Sequence, residues 1–105
     1  MALFGISGSH TTESCPLNNL GSAKDVAGFS VDDSELQKYK ISKIVGTYHS
    51  ALEHTFVWIV DADDPHLIEE FAVESGLASF NMLTIVPVKS LGEDVVPRLK
   101  QAHGL

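Results

Sequence analysis

Two short segments carry side chains able to do chemistry: His10-Thr11-Thr12-Glu13-Ser14-Cys15-Pro16 and His49-Ser50-Ala51-Leu52-Glu53-His54. Imidazole and thiolate are ligands for soft and borderline metals, acids and bases near neutral pH, and nucleophiles. The candidate ligand-binding set is therefore His10, Glu13, Cys15, His49, Glu53 and His54, with His10, Cys15, His49 and His54 as candidate metal ligands. A divalent transition metal such as zinc suits those donors, although residue types alone name neither the cofactor nor a catalytic residue.

Each segment has an ordinary reading beside the chemical one. If His49 and His54 close a four-residue loop as an opposed pair, their Cβ atoms lie roughly 5 Å apart, near enough to share an ion that Glu53 would complete. Loop-end histidines are also often exposed and inert, and a one-residue slip in register undoes the pairing. In the first segment His10 ends a strand, and Cys15-Pro16 reads as a helix start, where amide donors and the helix dipole favour a thiolate. Alternatively Cys15 is a small buried apolar residue, with Glu13 and Ser14 as polar residues of a helix start. Asp61, Asp63 and Asp64 look like half a cation site, but Asp64 has a simpler role as a helix cap. Nothing is assigned to His66 or His103.

Composition narrows the class. With 105 residues the chain has room for a single domain, and 44% hydrophobic with 20% charged residues indicates a folded one. A net charge of −7, with 7 Lys plus Arg scattered along the chain, argues against nucleic acid as a partner. No apolar run approaches the roughly 18 residues needed to span a bilayer. The first residues lack the basic region of a secretion signal, so a cytoplasmic protein with no membrane partner is expected. One cysteine makes no internal disulfide, which fits a reducing compartment.

The elements that must position these side chains follow from periodicity and turn signals. Residues 2–8 read as a strand ended by Gly8-Ser9, and helical character starts near Pro16, weakens at Gly28-Phe29-Ser30 and resumes between Asp33 and Tyr39. Residues 41–49 and 54–61 are β-branched and aromatic, and read as a hairpin. Asp64, Pro65 and Gly76 bracket a helix over 65–75 with Leu67, Ile68, Phe71 and Ala72 on one face. Residues 82–88 read as a fourth strand, with Pro87 marking an edge strand or a strand end. Ser90 and Glu93 form a capping-box pattern before a C-terminal helix that Pro97 shortens or displaces.

The order β-α-β-β-α-β plus a terminal helix is the ferredoxin-like arrangement, an α+β fold in one domain, 1–105. Both parities of the third and fourth strands are apolar, so the face without helices would be an exposed apolar patch. A homodimer pairing sheet to sheet is expected. The first and third strands are taken as running parallel, which sets His10 and His54 at opposite ends, roughly 23 Å apart, with a shared site only across a dimer.

The chain resembles the small dimeric α+β-barrel proteins, and within them a group with an early His-Thr-x-Glu-x-Cys-Pro segment, here His10 to Pro16, and a later Glu-His-Thr before an Ala-Asp-Asp helix start, here Glu53 to Thr55 and Ala62 to Asp64. The resemblance implies ferredoxin-like subunits paired through their sheets. Its members include cofactor-free monooxygenases, isomerases, haem-binding enzymes and ligand-binding modules, so it selects no activity. The leading expectation is a small cytoplasmic dimer that binds a metal ion or small-molecule ligand. The alternative is a cofactor-free monooxygenase- or isomerase-type enzyme with a histidine acid or base in an apolar cavity, and a third reading is a purely structural protein.

Overall fold

The computed structural model describes residues 2–28 and 33–105. It is an α+β structure in which a four-stranded antiparallel sheet carries helices on one face: β1 (Ala2–Ser9), α1 (Leu20–Ala27), α2 (Asp33–Lys38), β2 (Ile41–Ser50), β3 (Thr55–Ala62), α3 (Pro65–Glu74), β4 (Met82–Val88) and α4 (Val96–His103). The strand order β2-β3-β1-β4 is consistent with the expected ferredoxin-like arrangement, and it puts Pro87 on an edge strand. Of the predicted weak stretch Gly28-Phe29-Ser30, residues 29 and 30 lie outside the described residues.

The local signals act as their chemistry requires. The Asp64 carboxylate accepts the His66 amide hydrogen at 2.9 Å, Pro65 fills the first helical position, and Gly76 leaves the helix with φ of +85°. Ile68, Phe71 and Ala72 form its buried stripe. At the other cap Ser90 accepts from the Glu93 amide. The displacement expected of Pro97 takes the form of a π turn, Leu91–Val95, before α4 begins.

Two expectations are corrected. Pro16 does not start a helix: residues 12–18 turn, and α1 begins at Leu20 because Asn19 supplies the cap, accepting the Ser22 amide. β1 ends at Ser9, within the Gly8-Ser9 breaker, and Gly8 is small because a Cβ there would overlap the Phe56 ring on the neighbouring strand. Most consequentially, β1 and β3 are antiparallel, with Ala2 opposite Ala62 and Ser9 opposite Thr55. The connection through α1 and α2 returns β2 parallel to β1, and the hairpin then reverses β3, so the two central neighbours must oppose each other.

Phe4, Ile6, Phe56, Val60, Ile41 and Ala62 of the sheet meet Leu36, Tyr39, Ile68 and Phe71 in the core. The Tyr39 hydroxyl donates to the Glu74 carboxylate, and that hydrogen bond, followed by burial and the charges of Glu74 and nearby acids, pushes its pKa up to about 12. Alternation along the strands puts Val57, Val86, Tyr48 and Met82 on the opposite face, where they are exposed. Among the described residues, no helix is long and apolar enough to cross a membrane.

The C-terminal segment departs from this body. Beyond the π turn it grows from, α4 makes only glancing contact with other elements, and none of its residues is buried. The molecule extends 55 Å along its longest axis with a radius of gyration of 15.9 Å. A compact chain of this length would have about 13 Å, so the helix stands out as an arm.

Candidate metal centre

Because β1 and β3 are antiparallel neighbours, the end of one and the start of the other meet at the same edge of the sheet. The His10 amide donates to the His54 carbonyl at 3.0 Å, a rung added just beyond the strand ladder. From there residues 11–14 lead into the turn that buries Cys15 completely. That turn is held from within: the Cys15 carbonyl accepts from the amides of Asn18 and Asn19, both at 2.8 Å, and the Asn18 carboxamide donates to the Thr12 carbonyl. A donor atom of His10, of Cys15 and of His54 thus all lie within 4.8 Å of one another. The separation expected between His10 and His54 is overturned, and one chain suffices to bring them together.

The hydrogen bonds around His10 fix its chemical form. The Asn81 carboxamide nitrogen donates to the Leu77 carbonyl at 2.9 Å, which turns its oxygen toward His10 Nδ1, 2.7 Å away. A carboxamide oxygen only accepts, so Nδ1 carries the hydrogen and, in the neutral ring, Nε2 presents a lone pair. That Nε2 is buried and has no hydrogen-bond partner; the same is true of His54 Nδ1. The other ring nitrogen of His54 lies 3.4 Å from the Thr12 hydroxyl. A carbonyl-type oxygen behind one ring nitrogen with a free lone pair on the other is the arrangement that orients metal-binding imidazoles.

Burying an imidazole nitrogen without a partner costs on the order of 1–3 kcal/mol, and His54 adds backbone strain with φ of +55°. A tetrahedral ion with bonds of roughly 2.0–2.3 Å would draw its donors to about 3.3–3.6 Å apart, a closure of about an ångström from the observed spacing. Two imidazoles and a thiolate make a borderline-to-soft set that fits zinc or a neighbouring transition ion and leaves one position for a further ligand.

The remaining predicted residues fall outside this group. His49 lies opposite Phe56, not His54, because Ser50 pairs with Thr55 and the turn occupies 51–54; the opposed-pair geometry is therefore corrected by two residues of register. His49 is exposed and stacks on His10, with ring centroids 5.7 Å apart and planes 5° from parallel. Glu13 and Glu53 are exposed. Among the described residues no other group of three such side chains lies close enough to share an ion, which applies to Asp61, Asp63 and Asp64. Next to the cluster is a pocket of about 350 Å³ lined by His10, His49, Phe56, Trp58, Phe80 and Asn81, with Pro16, Leu17 and Val26 at its margin.

Asn81 is the site residue that sequence reasoning missed. It belongs to no motif, and its only signal is a polar residue in the short link before β4. No family model matches the chain, nor does any curated protein or solved structure.

Proposed function

We propose that this protein binds a transition metal ion, zinc being the best fit, through His10 Nε2, Cys15 Sγ and His54 Nδ1, with Asn81 orienting His10. Two observations carry the reading: a donor atom of each of His10, Cys15 and His54 lies within 4.8 Å of the others, and each of the two histidines has a buried ring nitrogen without a partner. Polar atoms left unpaired in a protein interior are uncommon, and two aimed at one point with a sulfur are what an ion would satisfy. The remaining coordination position makes a small-molecule ligand the natural fourth donor. We further propose that the subunit is of the ferredoxin-like, sheet-to-sheet dimeric kind, which the exposed Val57, Val86, Tyr48 and Met82 support, and that it works in the cytoplasm, where a single thiol stays reduced.

The test is elemental analysis of untagged protein prepared without chelator, beside His10→Ala, Cys15→Ser and His54→Ala. One equivalent of metal in the native chain and none in the variants is expected, and cobalt(II) substitution should give a thiolate-to-cobalt charge-transfer band that Cys15→Ser abolishes. Equal metal content in all four proteins would overturn the proposal. A second reading, the cofactor-free enzyme, rests on the aromatic-lined pocket, which is large enough for one ring system and places His10 and His49 at its wall. It predicts retention of an aromatic compound by metal-free protein, lost in Trp58→Ala.

A further inference from the structure

The His10, Cys15 and His54 cluster and the pocket beside it share their walls. His10 belongs to both, Asn81 holds His10 and also lines the pocket, and the turn that carries Cys15 inward lends its next residue, Pro16, to the pocket wall. An ion held by the three donors therefore borders the pocket. A divalent ion with one thiolate and two neutral imidazoles retains one positive charge and one open coordination position. In surroundings of low dielectric, a fourth ligand that cancels that charge is favoured over a neutral one.

The pocket has the complementary character. Its volume of about 350 Å³ is at the small end for ligand sites and suits one ring with a short head group. Phe56, Trp58 and Phe80 give it an aromatic interior, and at its mouth Leu17 is 71% exposed and Val26 49%, apolar surface that a bound ring would cover. Among the described residues no carboxylate, lysine or arginine lines it, so no charge of the chain competes with the ion for an anion or repels one at close range. The polar groups of His10 and Asn81 are engaged with each other and with the Leu77 carbonyl. His49 has no such duty: it lies outside the metal group, and its exposed ring stacks on His10.

We propose that the ligand of this centre is a small aromatic monoanion of the aryl carboxylate class, its carboxylate taking the open coordination position and a hydrogen bond from His49, and its ring seated against Trp58 and Phe80. The inference rests on the metal reading above and goes beyond it by naming what the fourth position accepts. Each half of the ligand answers a different part of the site. An aliphatic acid satisfies the ion but leaves the aromatic walls and the mouth uncovered, whereas a neutral aromatic covers them but leaves the charge unbalanced.

The test titrates benzoate, acetate and benzamide into cobalt(II)-substituted protein, follows the visible bands of the ion, and measures metal content in every sample. Benzoate should bind about 10–100-fold more tightly than acetate, the gain from burying one ring, and about tenfold more tightly than benzamide, which lacks the charge. Val26→Phe narrows the mouth from an exposed position on α1, so it should weaken benzoate while sparing acetate and metal. His49→Ala should weaken both acids alike. Metal-free protein, followed by the fluorescence of Trp58, the single tryptophan of the chain, should hold benzoate at least about tenfold more weakly. Failure of the native chain to take up metal would overturn this inference together with the metal reading. Full metal content with benzoate no tighter than acetate would overturn the inference alone, and equal benzoate affinity with and without metal would overturn it in favour of the cofactor-free reading.

Discussion

The two ends of the helix-covered side of the sheet are built on opposite rules. At the end near Ile41 and Ala62, apolar side chains from α2, α3 and the strands fill the interior, and the polar Tyr39 hydroxyl is paired with Glu74. At the end near Ser9 and Thr55, two imidazole nitrogens are buried without partners. The first end supplies stability and the second spends some of it. Function in a small domain is to be sought where several buried polar groups are left unsatisfied together, unlike the lone Asp61 Oδ1, because selection for stability alone would remove them.

The contrast is most easily broken by substitution at both ends. Ile68→Ala, at a fully buried core position, should destabilise the chain by about 2–5 kcal/mol in urea unfolding of metal-free protein. A loss below about 1 kcal/mol would mean that the core end is not the stabilising one. Asn81→Ala should leave folding nearly intact but weaken zinc binding about 10–100-fold in a competition titration with a chromophoric chelator. Unchanged affinity would show that the carboxamide does not orient His10. His54→Gly relieves the positive φ, so stability without metal should be kept or raised by up to about 1 kcal/mol while metal is lost. A clear loss of stability would make the imidazole a structural part.

The smallest effect is silent at neutral pH. Tyr39 has its pKa raised to about 12 in the folded chain against an ordinary 10, so between those values the native state holds a proton that the unfolded state has released. Stability from this group is therefore present below about pH 10 and falls as pH rises toward 12. Urea midpoints across that range should fall more steeply for the native chain than for Tyr39→Phe. Parallel curves would show that the Glu74 contact does not govern the hydroxyl.

Much of the architecture was legible because its signals are local. The helix at Asp64-Pro65, the hairpin strands and the Ser90 cap each rest on neighbouring residues, and each formed within a residue or two of its expected bounds. The His10, Cys15 and His54 cluster was legible as residue types but not as geometry. His10, Cys15 and His54 are named by their chemistry, yet their convergence depends on the relative direction of β1 and β3, which the parallel assumption reversed. His49 shows how little separates a ligand from a neighbour: a two-residue shift of register turns it from a partner of His54 to a partner of Phe56. Asn81 was out of reach, since its role comes from a contact 71 residues away in sequence.

The amide-to-carbonyl bond between His10 and His54 ties the spacing of the cluster to the sheet itself. Two of its three donors hang from adjacent central strands at one rung, so the ladder spacing of about 4.8 Å acts as a fixed ruler. Only the Cys15 turn has to find the right depth, and it does so with its own internal hydrogen bonds. The strand ladder thus sets the two histidines and the turn sets the cysteine, while the link before β4 has only to supply the Asn81 oxygen that aligns His10.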